Sequence, residues 1–142
     1  MQTFSSKATI DISAPMEHVW EALTKPEFVK QYFFGTNLET TWEVGSEVIF
    51  KGEWEGKPYE DRGTVLSFDA PHSLSFNYWS NFSGEPDFLE KRLIITYTVE
   101  AINEDSTRVT IEQTNTATQE KADHSSGNWK MVLDGMKKLI EG

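Results

Sequence analysis

Few side chains in this chain are of a type and spacing that would do covalent chemistry. The three histidines, His18, His72 and His124, are scattered. No two share the helical spacing of a metal-ligand pair, and no carboxylate motif surrounds them. Cysteine is absent, which excludes thiol nucleophiles, thiolate metal sites and disulfides. No G-x-S-x-G turn is present to expose a serine nucleophile. The acid pairs Glu53/Glu55 and Glu60/Asp61 flank turns and read as solvated strand ends. Neither a metal nor a cofactor is expected, and catalytic residues are expected to be none.

What the chain does have is rings: five Trp, nine Phe and four Tyr, 13% of its residues. Rings bury large areas with few rotamers, so they fill cores and line pockets alike. Two polar groups are placed to join them. If Leu93, Ile95, Tyr97 and Val99 share one face of a strand, Tyr97 carries a hydroxyl inward. If Val109 and Ile111 do the same on the next strand, Gln113 follows, with Asn115 beyond it. A few polar groups among rings describe a ligand pocket. The alternative is that Tyr97 and Gln113 reach the open end of the sheet and bond to water or backbone. Arg62 and Arg92 are of a type to receive a carboxylate ligand but read as surface strand residues.

The elements that position these groups follow from periodicity. "TFSSKATIDI" alternates, with Phe4, Ala8, Ile10 and Ile12 on one face, and predicts a strand over 3–12. "SAPMEHVWEALT" predicts a helix, with Ser13 as its cap, Pro15 in the first turn and Glu17 near the positive dipole end. Pro26 closes it and opens a second, short helix that Gly35 ends. Phe28 and Tyr32 anchor that helix, leaving Phe33 and Phe34 at its end. The period then changes to two. "SEVIFKGEW" puts Val48, Phe50, Gly52 and Trp54 on one face, "LSFNYW" does so for Leu74, Phe76 and Tyr78, and "EGKP", "APHS" and "NEDS" are turns. Consecutive antiparallel strands without a crossover helix exclude a parallel nucleotide-binding sheet. Finally, in "GNWKMVLDGMKKLIEG", Trp129, Val132, Leu133, Met136 and Ile140 form one helical stripe. The preceding "TQEKADHSSG" reads equally as an early helical turn or as a loop. A curved sheet with one apolar face needs a cover, and the last helix supplies it. Curvature holds the two apart at one end, where a cavity is expected.

With 142 residues the chain suits one domain spanning 1–142. Thirteen basic against twenty-three acidic residues give a net charge of −10, which disfavours nucleic acid and anionic membrane surfaces as partners. No stretch approaches the ~18 apolar residues of a membrane span. A cytoplasmic protein that does not insert into membranes is expected.

The segments "SAPMEHVWEALTKPEFVKQYFFG", "WEVGSEVIF", "GTVLSFDAPHSLSFNYW" and "GNWKMVLDGMKKLIE" together resemble the activator of heat-shock-protein-90 ATPase-like family, within the START-like superfamily. The likeness covers nearly the whole chain. Where the family often carries a Trp-Phe pair after Pro-Glu, Pro26-Glu27 is followed here by Tyr32-Phe33-Phe34. The resemblance implies an α+β helix-grip fold: six or seven antiparallel strands curved around a long C-terminal helix, with two short helices after the first strand. It also implies an internal cavity that takes apolar small molecules in many superfamily members. Relatives range over lipid carriers, hormone receptors, cyclases and a co-chaperone domain, so the fold sets no single activity. The expected function is binding of a small apolar ligand, lipid or aromatic polyketide-like, rather than catalysis. Phe33, Phe34, Trp54, Phe76, Tyr78, Tyr97, Gln113, Trp129, Leu133 and Met136 are its expected lining. A co-chaperone-like module with a chaperone partner is the alternative, and a cyclase or hydrolase the third.

Overall fold

A computed structural model describes residues 3–33, 35–80, 87 and 92–141. In chain order the elements are β1 (Phe4–Ile12), α1 (Met16–Thr24), α2 (Pro26–Tyr32), β2 (Asn37–Glu39), β3 (Glu47–Trp54), β4 (Lys57–Asp69), β5 (Ser73–Tyr78), β6 (Leu93–Asn103), β7 (Ser106–Thr116) and α3 (Gln119–Glu141). The seven strands make one antiparallel sheet in the order β1-β7-β6-β5-β4-β3-β2. Alternation sets which face each strand turns to the helix. Ile95, Tyr97 and Val99 of β6 and Val109, Ile111 and Gln113 of β7 are all buried on that face. Register shifts at Phe4/Ser6, Val65/Ser67 and Ala101/Asn103 mark irregular positions where strands bend.

The short β2 escapes the sequence pattern because three residues are too few to show a period. The "EGKP" turn tightens to Glu55 and Gly56, both at positive φ, the backbone that matches strand twist in a two-residue hairpin. Gly63 is required by close approach: a Cβ there would stand 1.7 Å from the Asn77 carbonyl oxygen.

The apolar stripe of α3 lies over β1 and β7, burying Trp129, Val132, Leu133 and Met136. The helix begins earlier than its apolar stripe, running unbroken through Ser125, Ser126 and Gly127. Tertiary bonds outweigh the poor propensity of those residues: Ala122 is buried and its carbonyl accepts from the Ser6 hydroxyl at 2.6 Å, while the Thr118 hydroxyl accepts the Lys121 N–H at 3.1 Å. Its far end is clasped to the end of β1. The Lys137 ammonium donates to the Asp11 carbonyl at 2.7 Å, and the Ser13 N–H donates to Glu141 Oε2 at 2.8 Å. Ser13 is therefore not the cap of α1. That helix starts after Pro15, whose carbonyl accepts from His18 and Val19, and no side chain caps it. Among the described residues no helix is long and apolar enough to cross a membrane.

Candidate functional site

Rings from five elements meet between the sheet and α3. Phe33, at the end of α2, stacks on Phe50 of β3 with centroids 5.8 Å apart. Phe50 meets Phe76 of β5 at 5.7 Å, Phe76 meets Tyr97 of β6 at 5.7 Å, and Tyr97 meets Trp129 of α3 at 6.3 Å. Trp129 returns to Phe33 at 6.0 Å, so the five rings form a closed circuit. Tyr78 joins it through Phe50 at 5.6 Å. A second line of rings leads away: Trp42 touches Phe76 and stacks on Phe68, which touches Trp20. These are favourable contact distances for edge and offset geometries, so between these pairs the interior is filled by the protein itself.

The sequence-predicted Phe33, Phe76, Tyr78, Tyr97 and Trp129 are thus brought into one cluster. Leu133 and Met136 continue the stripe of Trp129 and are fully buried. Phe34 and the side chain of Trp54 lie outside the described residues.

The two expected polar groups behave differently. Gln113 is spent within the protein. Its amide nitrogen donates to the Thr116 and Ser125 hydroxyls, both at 3.0 Å, and its carbonyl accepts the Trp129 indole N–H at 3.0 Å. Both donors and the carbonyl are engaged, so Gln113 rivets β7 to α3. Tyr97 is 5% exposed, yet its hydroxyl makes no hydrogen bond with a described residue. Among those residues every fully enclosed side-chain nitrogen or oxygen has a partner; the Tyr97 hydroxyl, having none, is therefore not fully enclosed. Burial alone raises its pKa above the ordinary tyrosine value, so the group is a neutral O–H.

Other polar groups around the cluster are committed. The Tyr32 hydroxyl donates to the Ala22 carbonyl at 2.7 Å, and burial raises its pKa, with a smaller push from Tyr97. The Tyr78 hydroxyl donates to Asp61 Oδ2; burial first, then the Asp61 charge, raises Tyr78. Arg92 does not face a guest: its Nε and Nη2 fork onto the Asp87 carboxylate at 2.8 and 2.7 Å and its Nη1 donates to Asn77 Oδ1 at 3.0 Å. That bond lowers the Asp87 pKa. Arg62 lies over the Trp79 ring at 5.4 Å.

Asp61 corrects the reading of Glu60/Asp61 as a solvated strand end. Glu60 is exposed, but Asp61 is buried. Its parity with Val65 along β4 was the available signal, since Val65 and Gly63 also turn inward. Phe50 and Trp42 were missed as site rings. Trp42 has φ 62°, a strained conformation for a bulky residue, held by its ring contacts and by the indole N–H donating to the Thr24 carbonyl at 3.0 Å.

A separate groove of about 120 Å³ opens where the three helices meet, lined by His18, Ala22, Phe28, Gln31, Leu139 and Ile140. Among the described residues no group of three or more His, Asp or Glu is placed to hold a metal ion.

A sheet gripping one long helix, with rings packed between them and two short helices at one end, defines the helix-grip architecture. The chain belongs to the family described as Activator of Hsp90 ATPase homolog 1-like protein, whose model matches residues 13–141. A solution structure from Cytophaga hutchinsonii is 39% identical, with a TM-score of 0.84 over 99% of this chain and 97% of that one. The Aha1 dimer from Colwellia psychrerythraea is 18% identical, with a TM-score of 0.75 over 97% of this chain and 96% of that one. An HSP90 activator from Plasmodium falciparum is 15% identical, with a TM-score of 0.74 over 96% of each chain. No curated protein matches the chain.

Proposed function

We propose that this protein binds a small apolar molecule between the sheet and α3, against Phe33, Phe76, Tyr97 and Trp129. One observation carries the reading: the Tyr97 hydroxyl stands beside the rings of Phe76 and Trp129 with no hydrogen-bond partner among the described residues, and it is not fully enclosed. Burying a hydroxyl unpaired is unfavourable, so a guest that covers this one is held best where it bonds to it. Burial of the guest's own rings or chain adds roughly 25 cal/mol per Å² before association costs. Because the rings of the circuit already touch, a guest has to part them, and Phe33 is the ring to move. It is half-buried, follows the last residue of α2 and bridges β3 to α3.

The test is a titration of labelled full-length protein with a panel of lipids and aromatic ketones, followed by NMR. The Tyr97 amide and the Trp129 indole N–H are expected to shift, and Phe33→Ala to raise the rate at which they do so. A panel that shifts no interior resonance overturns the proposal.

The family match and the likeness to an HSP90 activator support a second reading, a surface that engages a chaperone. It predicts enrichment of a chaperone on the immobilised protein; a pull-down without one counts against it.

A further inference from the structure

The sheet ends on two strands of unequal length: β2 has three residues and β1 nine. Among the described residues β1 pairs with β7 alone, so its other side is an open edge. At the end of that edge the Asp11 carbonyl accepts from Lys137 and the Ser13 N–H reaches Glu141. The odd-numbered residues thus turn their backbone groups away from β7. Because those groups alternate in direction along a strand, Lys7 and Thr9 turn theirs to the open edge as well. Such a row of unpaired N–H and C=O groups is a template for another strand. The side chains of Lys7, Thr9 and Asp11 are exposed on the outer face, while Ala8 and Ile10, toward α3, are half-buried. Lys7 stands across from Glu112 of β7, and its ammonium has no hydrogen-bond or ion-pair partner among the described residues. Asp11 stands across from Arg108, whose Nε and Nη2 reach its carboxylate at 2.8 and 3.3 Å.

We propose that this edge pairs antiparallel with β1 of a second copy, about a two-fold axis at Thr9. Charge selects that register. Thr9 then faces Thr9 of the second copy, and Lys7 faces Asp11 of the second copy on both sides of the axis. Each Lys7 comes to lie between Glu112 and an aspartate, and each Asp11 between Arg108 and a lysine. An axis at Lys7 would set two lysines against each other. An axis at Ala8 would set Lys7 against Thr9 and lose both ion pairs. A lysine on an edge strand ordinarily discourages pairing; an acid four positions along on the same face makes this edge self-complementary instead. Ala8 and Ile10 fall opposite each other and lose their remaining exposure. Lys137 does not bar the contact, since the Asp11 carbonyl has a second lone pair for the incoming N–H. The interface uses the same surface on both copies, so it closes at two.

Sedimentation velocity of the full chain at low salt tests the proposal. One strand pair lies at the small end of specific interfaces, so the dimer is expected to grow in between about 10 μM and about 1 mM. Over the same range, amide exchange at Lys7 and Thr9 is expected to slow. Lys7→Glu sets an acid against Asp11 of the second copy and is expected to weaken association about tenfold or more. Thr9→Pro removes an N–H that serves the open edge, a change that edge strands accept, and is expected to stay monomeric. Far-ultraviolet circular dichroism checks that each variant is folded; should Thr9→Pro not fold, Lys7→Glu and the exchange rates decide. A wild-type chain that is monomeric throughout overturns the proposal. So does a dimer that Lys7→Glu leaves unchanged, or one that forms without slower exchange at Lys7 and Thr9. A mass that grows beyond two copies overturns the closed two-fold pairing.

Discussion

Replacing Tyr97 by Phe tests the hydroxyl as a structural group, independently of any guest. A bonded hydroxyl contributes about 1 kcal/mol to stability, and its removal is costly when it strands a buried partner. Tyr97 has no described partner to strand, and its ring contacts with Phe76 and Trp129 survive the change. Removing the oxygen instead spares the partial desolvation of a hydroxyl that is not fully enclosed, at most on the order of 1 kcal/mol. Tyr97→Phe is therefore expected to leave stability unchanged or to raise it by up to about 1 kcal/mol, a shift of up to about 3–4 °C in Tm for a chain of this length. Urea unfolding followed by tryptophan fluorescence measures it. A loss greater than about 1 kcal/mol would show that the hydroxyl is bonded in the folded protein, and the reasoning that assigns it to a guest would fall.

Gln113→Met is expected to do the opposite: three hydrogen bonds at about 1 kcal/mol each disappear and the Trp129 indole N–H loses its acceptor, for a loss of about 3 kcal/mol by the same urea titration. Gly63→Ala drives a Cβ into the Asn77 carbonyl and is expected to abolish soluble, folded protein, as judged by yield and far-ultraviolet circular dichroism. Tyr32, Tyr78 and Tyr97 have pKa values raised by burial, so their contribution is complete below the ordinary tyrosine value of about 10 and is lost as pH climbs through the raised values. Their phenolate absorbance is expected to appear together with loss of near-ultraviolet dichroism; phenolate forming in an intact fold would contradict the burial argument.

Much of the fold was legible because its signals are periodic. Alternation along β6 and β7 made Tyr97 and Gln113 candidates for the inward face, where both are buried, and the stripe Trp129–Leu133–Met136 placed α3 against the sheet. What periodicity does not carry is pairing. Nothing local told Gln113 apart from Tyr97, because their fates depend on Ser125 and Trp129 lying within reach from another element. Asp61 was misread since a neighbouring acid and a nearby turn outweighed the parity of one strand. The first half of α3 was ambiguous because its support comes from β1, more than a hundred residues away, through Ser6 and Ala122. Trp42 lacked any pattern: its place is set by a left-handed turn and by a carbonyl of α1.

The pairing of β1 with β7 has a consequence for how the chain comes together. The first strand finds its only sheet neighbour among the described residues in the last one, and the Thr107 hydroxyl donates to the Ala14 carbonyl 93 positions earlier. No hairpin can form that edge. The opening segment has to wait, with its apolar side uncovered, until the closing hairpin and helix arrive, and such distant closure slows folding. During synthesis the interval falls between the emergence of Ile12 and that of Trp129, and it is then that a holding chaperone would find most to grasp.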